Sequence, residues 1–237
     1  YMGEVDGNVG AWGYARGGMG SITQAMSKSL LANGGNIKAG SAVKNILIKN
    51  NRSYGLALEN GDEIYADKIV SNLDVKRTFL KVVEEKELPS EFYTAVKNFK
   101  IRGSSGKLNI ALDDKPIWKS IPKDDPASTG DLHFTQSIEE MEGAYDDWKD
   151  GKWSTLPYVD MCIPTLNDPT MAPQGKHYMS VFVQYVPYNL ADGGWTEEKR
   201  VQFGDHVMKR IGNYSTNFKD IILHAEVRTP KELEAEV

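Results

Sequence analysis

The alternation of apolar and polar residues predicts a helix and a small β-meander in the first third of the chain. Between Ser21 and Ala32 the apolar residues recur at helical spacing, as Ile22, Ala25, Met26 and Leu30. Ser21 is the expected N-cap, and Gly34 and Gly35 are expected to end the helix in the left-handed conformation. Three extended pieces follow, within NIKAGSAVKNILIKN, SYGLALENG and EIYADKIVSNL. The sequence ENGD predicts a hairpin turn, and an apolar last strand is expected over Lys68–Ser71.

From Leu73 onward, the pattern predicts several strands interleaved with helices. Helices are expected in VKRTFLKVV, in PSEFYTAVKNF with Ser90 as its cap, in IEEMEGAYDDWKDG and in WTEEKRVQFGDHVMKRIGNYS. In the last of these, Val201, Val207 and Ile211 fall near one face. Strands are expected in GKLNIALD, DLHFTQS, YVDMCIPT and HYMSVFVQYVPY. The last strand is long and alternating, which is typical of a central strand with one buried face.

These elements together favour an α+β fold that is related to α/β proteins. Its first part, residues 1–72, is a helix with a small β-meander, and its second part, residues 73–237, is a mainly antiparallel sheet with packed helices. Hydrophobic residues make up 40% of the chain and charged residues 26%, which suits a globular protein with a buried core.

Charge and composition argue against nucleic-acid binding and against a membrane-spanning segment. A formal net charge of -5 argues against non-specific nucleic-acid binding, which needs a cationic surface. No apolar run reaches the roughly 20 residues that span a bilayer. The single cysteine, Cys162, cannot form a disulfide within the chain, which favours a reducing compartment, interpreted as the cytoplasm. The chain begins at Tyr1 and ends on PKELEAEV, and both ends are interpreted as cuts within a longer protein.

Metal and hydrolase chemistry have little support in the sequence. The four histidines are far apart, without a partner at ligand spacing, and they are His133, His177, His206 and His224. No Gly-x-Ser-x-Gly motif exists, and Cys162 as a nucleophile would need a nearby imidazole. Because Cys162 lies in the apolar strand YVDMCIPT, it is interpreted as a small core residue. We therefore expect no metal site.

Two features leave alternatives open on local evidence. The sequence GGMG is neither a dinucleotide fingerprint nor a P-loop, and the simplest interpretation is a tight turn in which Gly17, Gly18 and Gly20 allow close backbone approach. The aromatic residues of the second part could line an apolar cavity for a flat ligand or form the core between sheet and helices. They are Tyr178, Phe182, Tyr185, Tyr188 and Trp195. A core position is favoured for Phe182, and Tyr185 and Tyr188 are left open.

The order of these pieces resembles a known family. The stretch from GGMGSITQAMSKSLLANGG to VSNLDVKRTFLKVV resembles the middle of the phytoene-desaturase-like FAD-dependent oxidoreductases. The blocks GAWGYARGGMG, MCIPTLNDPTMAPQGKHYMSVFVQYVPYNLADG and TPKELE resemble one branch of it, the pyridine nucleotide-disulfide oxidoreductase domain-containing proteins. The resemblance covers essentially the whole chain. It implies that residues 1–72 belong to the FAD-binding side and residues 73–237 to the substrate-binding domain.

The resemblance also implies which residues face the cofactor and the substrate. On the FAD side they are Gly17, Gly18, Gly20, Val43, Ser71 and Asn72, with Val43 acting through its main chain. Asp74 follows at the position of the family pattern SNADP, in which Val75 replaces the usual proline. The candidates for the substrate pocket are Tyr185, Tyr188 and Arg16. No residue is nominated as a catalytic acid or base.

The implied function is oxidation of a small-molecule substrate by hydride transfer to flavin. The family segments that grip FAD would precede Tyr1 and follow Val237, so the chain by itself is expected to bind FAD weakly or not at all and to be inactive. The strand expected at Lys68–Ser71 would then present an exposed edge that favours self-association. A carotenoid substrate would need a long apolar tunnel, which the polar composition of the second part disfavours. The alternative is a non-catalytic binding or interaction module that keeps the flavoprotein fold.

Overall fold

A computed structural model describes residues 4–5, 7–9 and 13–236. They form two compact units, of which one combines the chain before Ser27 with the chain after Ile101, and the other spans Ser27–Ile101. We call them the sheet unit and the meander unit. The mixture of helices and antiparallel sheets confirms the predicted α+β class. The functional division at residues 72 and 73 stays a prediction.

The elements follow the predicted order closely. The strands are β1 (Glu4–Val5), β2 (Asn8–Val9), β3 (Val43–Lys49), β4 (Arg52–Leu58), β5 (Glu63–Tyr65), β6 (Ser105–Leu112), β7 (Leu132–His133), β8 (Tyr158–Cys162), β9 (His177–Gln184) and β10 (Ile222–Arg228). The α-helices are α1 (Met19–Ala32), α2 (Val75–Arg77), α3 (Ser90–Asn98), α4 (Ile138–Lys149), α5 (Glu197–Gly212) and α6 (Pro230–Glu236). A π-helical turn over Thr78–Val82 continues α2. None of the described helices is long and apolar enough to cross a membrane.

Helix α1 begins earlier than its sequence pattern indicates. It starts at Met19, so Ser21 lies inside the first turn, where its hydroxyl donates to the carbonyl oxygen of Gly18 at 2.7 Å. The predicted N-cap role of Ser21 is therefore wrong. The predicted end is confirmed at Gly34, which has a φ of +79° and whose amide donates to the carbonyl of Leu31 at 3.1 Å, whereas Gly35 is not left-handed.

The meander unit contains the antiparallel sheet β3-β4-β5. The predicted ENGD hairpin connects β4 and β5. The predicted strand over Lys68–Ser71 is wrong, since no strand among the described residues pairs with this segment and it forms no ladder. The N-cap of α3 is Pro89, without a side-chain hydrogen bond, so Ser90 is the first helical residue and not the cap.

The sheet unit contains a five-stranded antiparallel sheet in the order β10-β6-β9-β8-β7. Strand β9 lies in the middle, between β6 and β8, which confirms the prediction of a central strand. The sequence reasoning missed β10, whose short apolar pattern is interrupted by His224, Glu226 and Arg228. These three residues share one face because side chains alternate along a strand.

One face of this sheet packs against α5 and forms the core. The strands contribute Leu108, Ile110, Leu112, Val159, Met161, Met179, Val181 and Val183. From α5 come Phe203, Val207 and Ile211. The predicted buried positions Val207 and Ile211 are confirmed, whereas Val201 is 48% exposed because the apolar stripe of α5 begins only at Phe203.

Two residues assigned to the core by the sequence lie on the opposite face of the sheet. Phe182 alternates with the buried Val181 and Val183 and is 41% exposed. Cys162 follows the buried Met161 and is only partly buried. Both core assignments are wrong, because an apolar strand in an open antiparallel sheet buries only every second residue.

Candidate functional site

The meander unit contains a cavity of about 610 Å³. Its lining includes Val43, Ser71 and Asn72, three of the residues for which the sequence predicts a cofactor contact. Apolar side chains form much of the remaining wall, namely Ala42, Ile46, Leu56, Ile69, Val70, Leu73 and Val82. The structure thus brings together three predicted residues that are up to 29 positions apart in the sequence.

The turn after Asn72 shapes one side of this cavity. The carboxylate of Asp74 accepts hydrogen bonds from the amides of Lys76 and Arg77, each at 2.9 Å, and so caps the start of α2. The Ser71 hydroxyl lies 2.9 Å from the hydroxyl of the buried Thr78. These contacts fix the chain direction between the extended segment and the helix. The N-cap role of Asp74 was not predicted, although an Asp followed by a helical pattern is a typical signal.

Cations dominate the charged lining of the cavity. Lys44, Arg77 and Lys81 line it together with a single acidic residue, Glu59. Val43 begins β3, an edge strand, so backbone groups on the outer side of this strand are not used by the sheet. Cations attract phosphate and an edge strand can pair with the polar edge of a flat base. The cationic lining and the free strand edge of the cavity are compatible with an anionic ligand such as a phosphate.

The glycine-rich turn belongs to the sheet unit. Gly17 and Gly18 have φ angles of +83° and +76°, which confirms the predicted tight turn. Their amides already have partners, because Gly17 donates to Asp168 Oδ2 at 2.6 Å and Gly18 to the carbonyl oxygen of Ala15 at 3.0 Å. Gly20 lies in the first turn of α1. A cofactor contact of Gly17, Gly18 and Gly20 stays a prediction. Because the amides of Gly17 and Gly18 already donate hydrogen bonds within the protein, we expect such a contact to depend on close approach of the glycine backbone and not on donation by these two amides.

Asp168 is the buried anchor of this turn. Its side chain is 4% exposed and also accepts hydrogen bonds from the hydroxyl of Thr170 at 2.6 Å and from the Thr170 amide at 3.1 Å. The Thr170 hydroxyl, followed by the Gly17 amide, lowers the pKa of the Asp168 carboxyl below its usual 3.8. The sequence reasoning did not single out Asp168, because its partner Gly17 is 151 residues away.

We expect the variant Asp168→Asn to be less stable than the parent protein in a pH-dependent way. A lowered pKa means that the carboxylate stabilises the fold fully above pH 3.8 and loses this effect as the pH falls through the native pKa. Thermal unfolding monitored by circular dichroism should give a Tm difference between the two proteins at pH 7 that shrinks in acid. The exposed Asp205→Asn is the control, and a Tm difference for Asp168→Asn that does not change with pH would contradict this role.

The face of the five-stranded sheet opposite the core is polar, and we call it the open sheet face. Its residues on the three middle strands include Lys107, Asn109, Tyr158, Asp160, Cys162, Tyr178, Ser180 and Phe182. Lys107 Nζ donates to Ser180 Oγ at 3.0 Å, and Tyr178 OH donates to Asn109 Oδ1 at 2.8 Å. These side chains are neighbours because the antiparallel register sets Asn109 opposite Ser180.

A cluster of ionisable groups occupies the β7 end of this face. Tyr158 OH and His133 Nδ1 are 2.6 Å apart, and Asp160 Oδ1 lies 3.7 Å from the same nitrogen. Burial raises the pKa of the Asp160 carboxyl and, with the Asp160 charge, the pKa of Tyr158. The imidazole of His133 is 49% exposed, so a bound molecule can reach it.

A second tyrosine lies beside the partly buried thiol of Cys162. Tyr14 OH donates to Asp131 Oδ1 at 2.8 Å, and burial together with this bond raises the pKa of Tyr14. Burial also raises the pKa of the Cys162 thiol, so the thiol is protonated and a poor nucleophile at neutral pH. Among the described residues, no group of three or more His, Cys, Asp or Glu side chains is arranged to hold a metal ion.

The residues predicted for the substrate pocket are not gathered into one cluster. Tyr185 packs against the rings of Tyr145 and Trp148, with centroid distances of 5.3 and 6.3 Å. Tyr188 donates to the Glu234 carboxylate of α6. Arg16 is exposed at the start of the glycine turn. Their role in substrate binding stays a prediction.

The sequence reasoning missed the charged residues of both regions. In the cavity these are Lys44, Arg77 and Lys81, and on the open sheet face they are Lys107, His133 and Asp160. A signal was available for Asp160, which stands between the apolar Val159 and Met161, and for Lys107, which alternates with the apolar Leu108 and Ile110 of a predicted strand; both must point away from the core. For the cavity residues only the fold brings the separate segments together.

Comparison with known proteins gives a consistent picture. The family described as "Flavin containing amine oxidoreductase" matches residues 1–226. Pyridine nucleotide-disulfide oxidoreductase domain-containing protein 2 of Rattus norvegicus is 32% identical over 98% of the chain and 42% of its own length. The chloroplastic prolycopene isomerase of Daucus carota is 27% identical over 95% of the chain and 34% of its own length. The chain thus spans less than half the length of these relatives.

A solved structure supports the same fold. The crystal structure of an oxidoreductase from Methanosarcina mazei matches with a TM-score of 0.55 and 19% identity, covering 91% of this chain and 43% of that one. At this identity the match concerns the fold alone. The sequence-based resemblance is confirmed by the family match and by the 32% identical relative.

Proposed function

This chain belongs to the flavin containing amine oxidoreductase family, and we propose that it is the central, substrate-binding part of an FAD-dependent oxidoreductase. The intact protein would oxidise a small organic molecule by hydride transfer to flavin. The proposal that the chain is part of a longer protein is supported by the rat relative, because the chain matches only 42% of that relative's length. By itself, the chain is then proposed to be inactive and to bind FAD weakly or not at all.

The observation that carries this proposal is the cationic cavity of the meander unit. Val43, Ser71 and Asn72 were named from the sequence alone, and all three line it. The cavity adds Lys44 and Lys81, whose charges suit the phosphates of FAD. We propose that the Val43 strand holds the adenine edge through its main chain. Ser71 and Asn72 would then lie beside the dinucleotide.

Flavin, when bound, supplies the acceptor for the substrate's hydride. The chain's own residues would bind and orient the substrate, exclude water and handle the accompanying proton. His133, held by Tyr158 and Asp160, is the proposed proton acceptor, because its half-exposed imidazole lies in a cluster of hydrogen-bonded groups. Asp168 would keep the glycine turn in place through the Gly17 amide.

The substrate is proposed to bind in the domain formed by residues 73–237, with Tyr185 and Tyr188 of that domain and Arg16 of the preceding segment as candidates for its lining. The polar open sheet face does not resemble the wall of a long apolar tunnel, so a carotenoid is not the proposed substrate. Further proposed partners are the family's FAD-gripping segments and, in their absence, a second copy of the chain.

Reversing one cavity charge should weaken FAD binding to the full-length protein. In Lys44→Glu a cation of the cavity lining becomes an anion, so repulsion replaces attraction to the phosphates and we expect the Kd for FAD to rise roughly tenfold. Apoprotein titrated with FAD at low salt, followed by quenching of flavin fluorescence, measures this Kd.

The matched control is Lys49→Glu, since Lys49 is an exposed lysine of the same strand that does not line the cavity. Its Kd should stay within a factor of two of the parent value. Equal effects of the two variants would contradict FAD binding in this cavity. FAD binding that supports no electron transfer to an artificial acceptor with any substrate would favour the non-catalytic binding module.

A further inference from the structure

We propose that the open sheet face binds an organic anion with an apolar body, with its acidic group at Lys107 and its body against Phe182. This inference rests on the proposed function in one respect, namely that the substrate binds among residues 73–237, to which β6, β8 and β9 belong. It adds the chemical class of that substrate, a small organic acid.

Lys107 is the anchor for the acidic group. Its side chain is partly buried on β6, and its ammonium donates to Ser180 Oγ at 3.0 Å. Among the described residues no carboxylate forms an ion pair with it, whereas Arg228, which faces it across β10, is paired with Glu226 and Glu236. An ammonium on a partly buried side chain, with a neutral hydroxyl as its partner, favours a bound anion.

Phe182 supplies the apolar contact next to this cation. The register of the sheet sets Lys107 directly opposite Phe182, and Phe182 directly opposite Asp160. Directly opposed side chains are neighbours with Cβ atoms about 5 Å apart. An exposed aromatic ring in the middle of a polar sheet face loses water-exposed surface when an apolar or aromatic group covers it.

Lys107, Phe182 and Asp160 form a row across β6, β9 and β8, and the Asp160 end of this row fixes the orientation of the ligand. Asp160 lies beyond Phe182, and His133 pairs with Asp160 on the edge strand β7. A ligand carboxylate is repelled by Asp160 and attracted by Lys107, so only one orientation satisfies both charges. In that orientation the non-acidic end of the ligand lies towards the hydrogen-bonded pair His133 and Tyr158.

Calorimetric titration with a pair of matched probes tests this site without flavin. The acid probe is 2-naphthylacetate and the neutral probe is 2-naphthylacetamide, which shares its ring system but lacks the charge. We expect the chain to bind the acid at least tenfold more tightly than the amide. Lys107→Met should weaken binding of the acid roughly tenfold and leave the amide unchanged.

The control variant is Lys115→Met, an exposed lysine beyond the end of the same strand, which should bind both probes as the parent does. Circular dichroism verifies that Lys107→Met is folded. Raising the salt concentration should weaken binding of the acid probe and leave binding of the amide probe unchanged. Equal affinities for the two probes, no binding of either, or an unchanged affinity in Lys107→Met would overturn the proposal. Because no flavin is present, such a result leaves FAD binding in the meander cavity unaffected.

Discussion

Phe203→Ala is expected to destabilise the protein by about 3–5 kcal/mol, whereas Phe182→Ala is expected to cost about 1 kcal/mol or less. The two phenylalanines belong to the same unit but lie on opposite faces of its sheet. Phe203 is fully buried and packs edge-on against Trp153 and Trp195, with centroid distances of 5.9 and 5.7 Å. Removing its ring leaves a cavity that the rigid surroundings cannot close.

Urea unfolding followed by tryptophan fluorescence and circular dichroism measures both changes. Phe182→Ala is the matched control for ring loss, and it should also weaken binding of both naphthyl probes, because the ring contact does not depend on ligand charge. A stability loss in Phe182→Ala that equals the loss in Phe203→Ala would contradict the assignment of the two faces. The comparison therefore separates a structural phenylalanine from one that is available to a ligand.

Arg210→Met is the second change with a large expected effect, about 3–5 kcal/mol of lost stability. Arg210 is a cation of α5 with only 7% of its side chain exposed, and it pairs with Glu140 of α4, which is 12% exposed. Its Nη2 also donates to the carbonyl oxygen of Phe134 at 2.6 Å. Removing the guanidinium leaves a nearly buried carboxylate and a buried carbonyl without their donor.

A double variant distinguishes the ion pair from simple loss of packing. Arg210→Met combined with Glu140→Leu removes both charges, and we expect it to recover about 2 kcal/mol relative to Arg210→Met alone, because a hydrophobic replacement of a buried pair is often close to neutral. Urea unfolding at pH 7 gives both free energies. A double variant that is less stable than Arg210→Met would show that the pair does not act through uncompensated charge.

Phe203 and Arg210 both lie on α5, which packs against the sheet face opposite the open sheet face. The packed core with α5 fixes the positions of the strands, and the strand register then fixes the row from Lys107 to Asp160. A site built on strands is held more precisely than one built on loops. We infer that the rigidity of the core serves the spacing of the polar residues on the other face.

Local sequence signals predicted most of the secondary structure. An amphipathic pattern identified α5, alternation identified β9 as a central strand, and Gly34 marked the end of α1. Errors arose where a cap had to be chosen from local residues alone. Ser21 and Ser90 have the right chemistry for N-caps, but the backbone starts α1 at Met19 and α3 after Pro89.

By itself, the sequence determined the family, the α+β class and three residues of the cavity, Val43, Ser71 and Asn72. The class follows from local periodicity, whereas the family and the three residues follow from the resemblance of ordered motifs to a known family. Only the tertiary structure decided that β9 buries the face with Val181 and Val183, and so moved Phe182 out of the core. It alone joined Gly17 to Asp168, because a hydrogen bond between residues 151 positions apart leaves no trace in either local pattern.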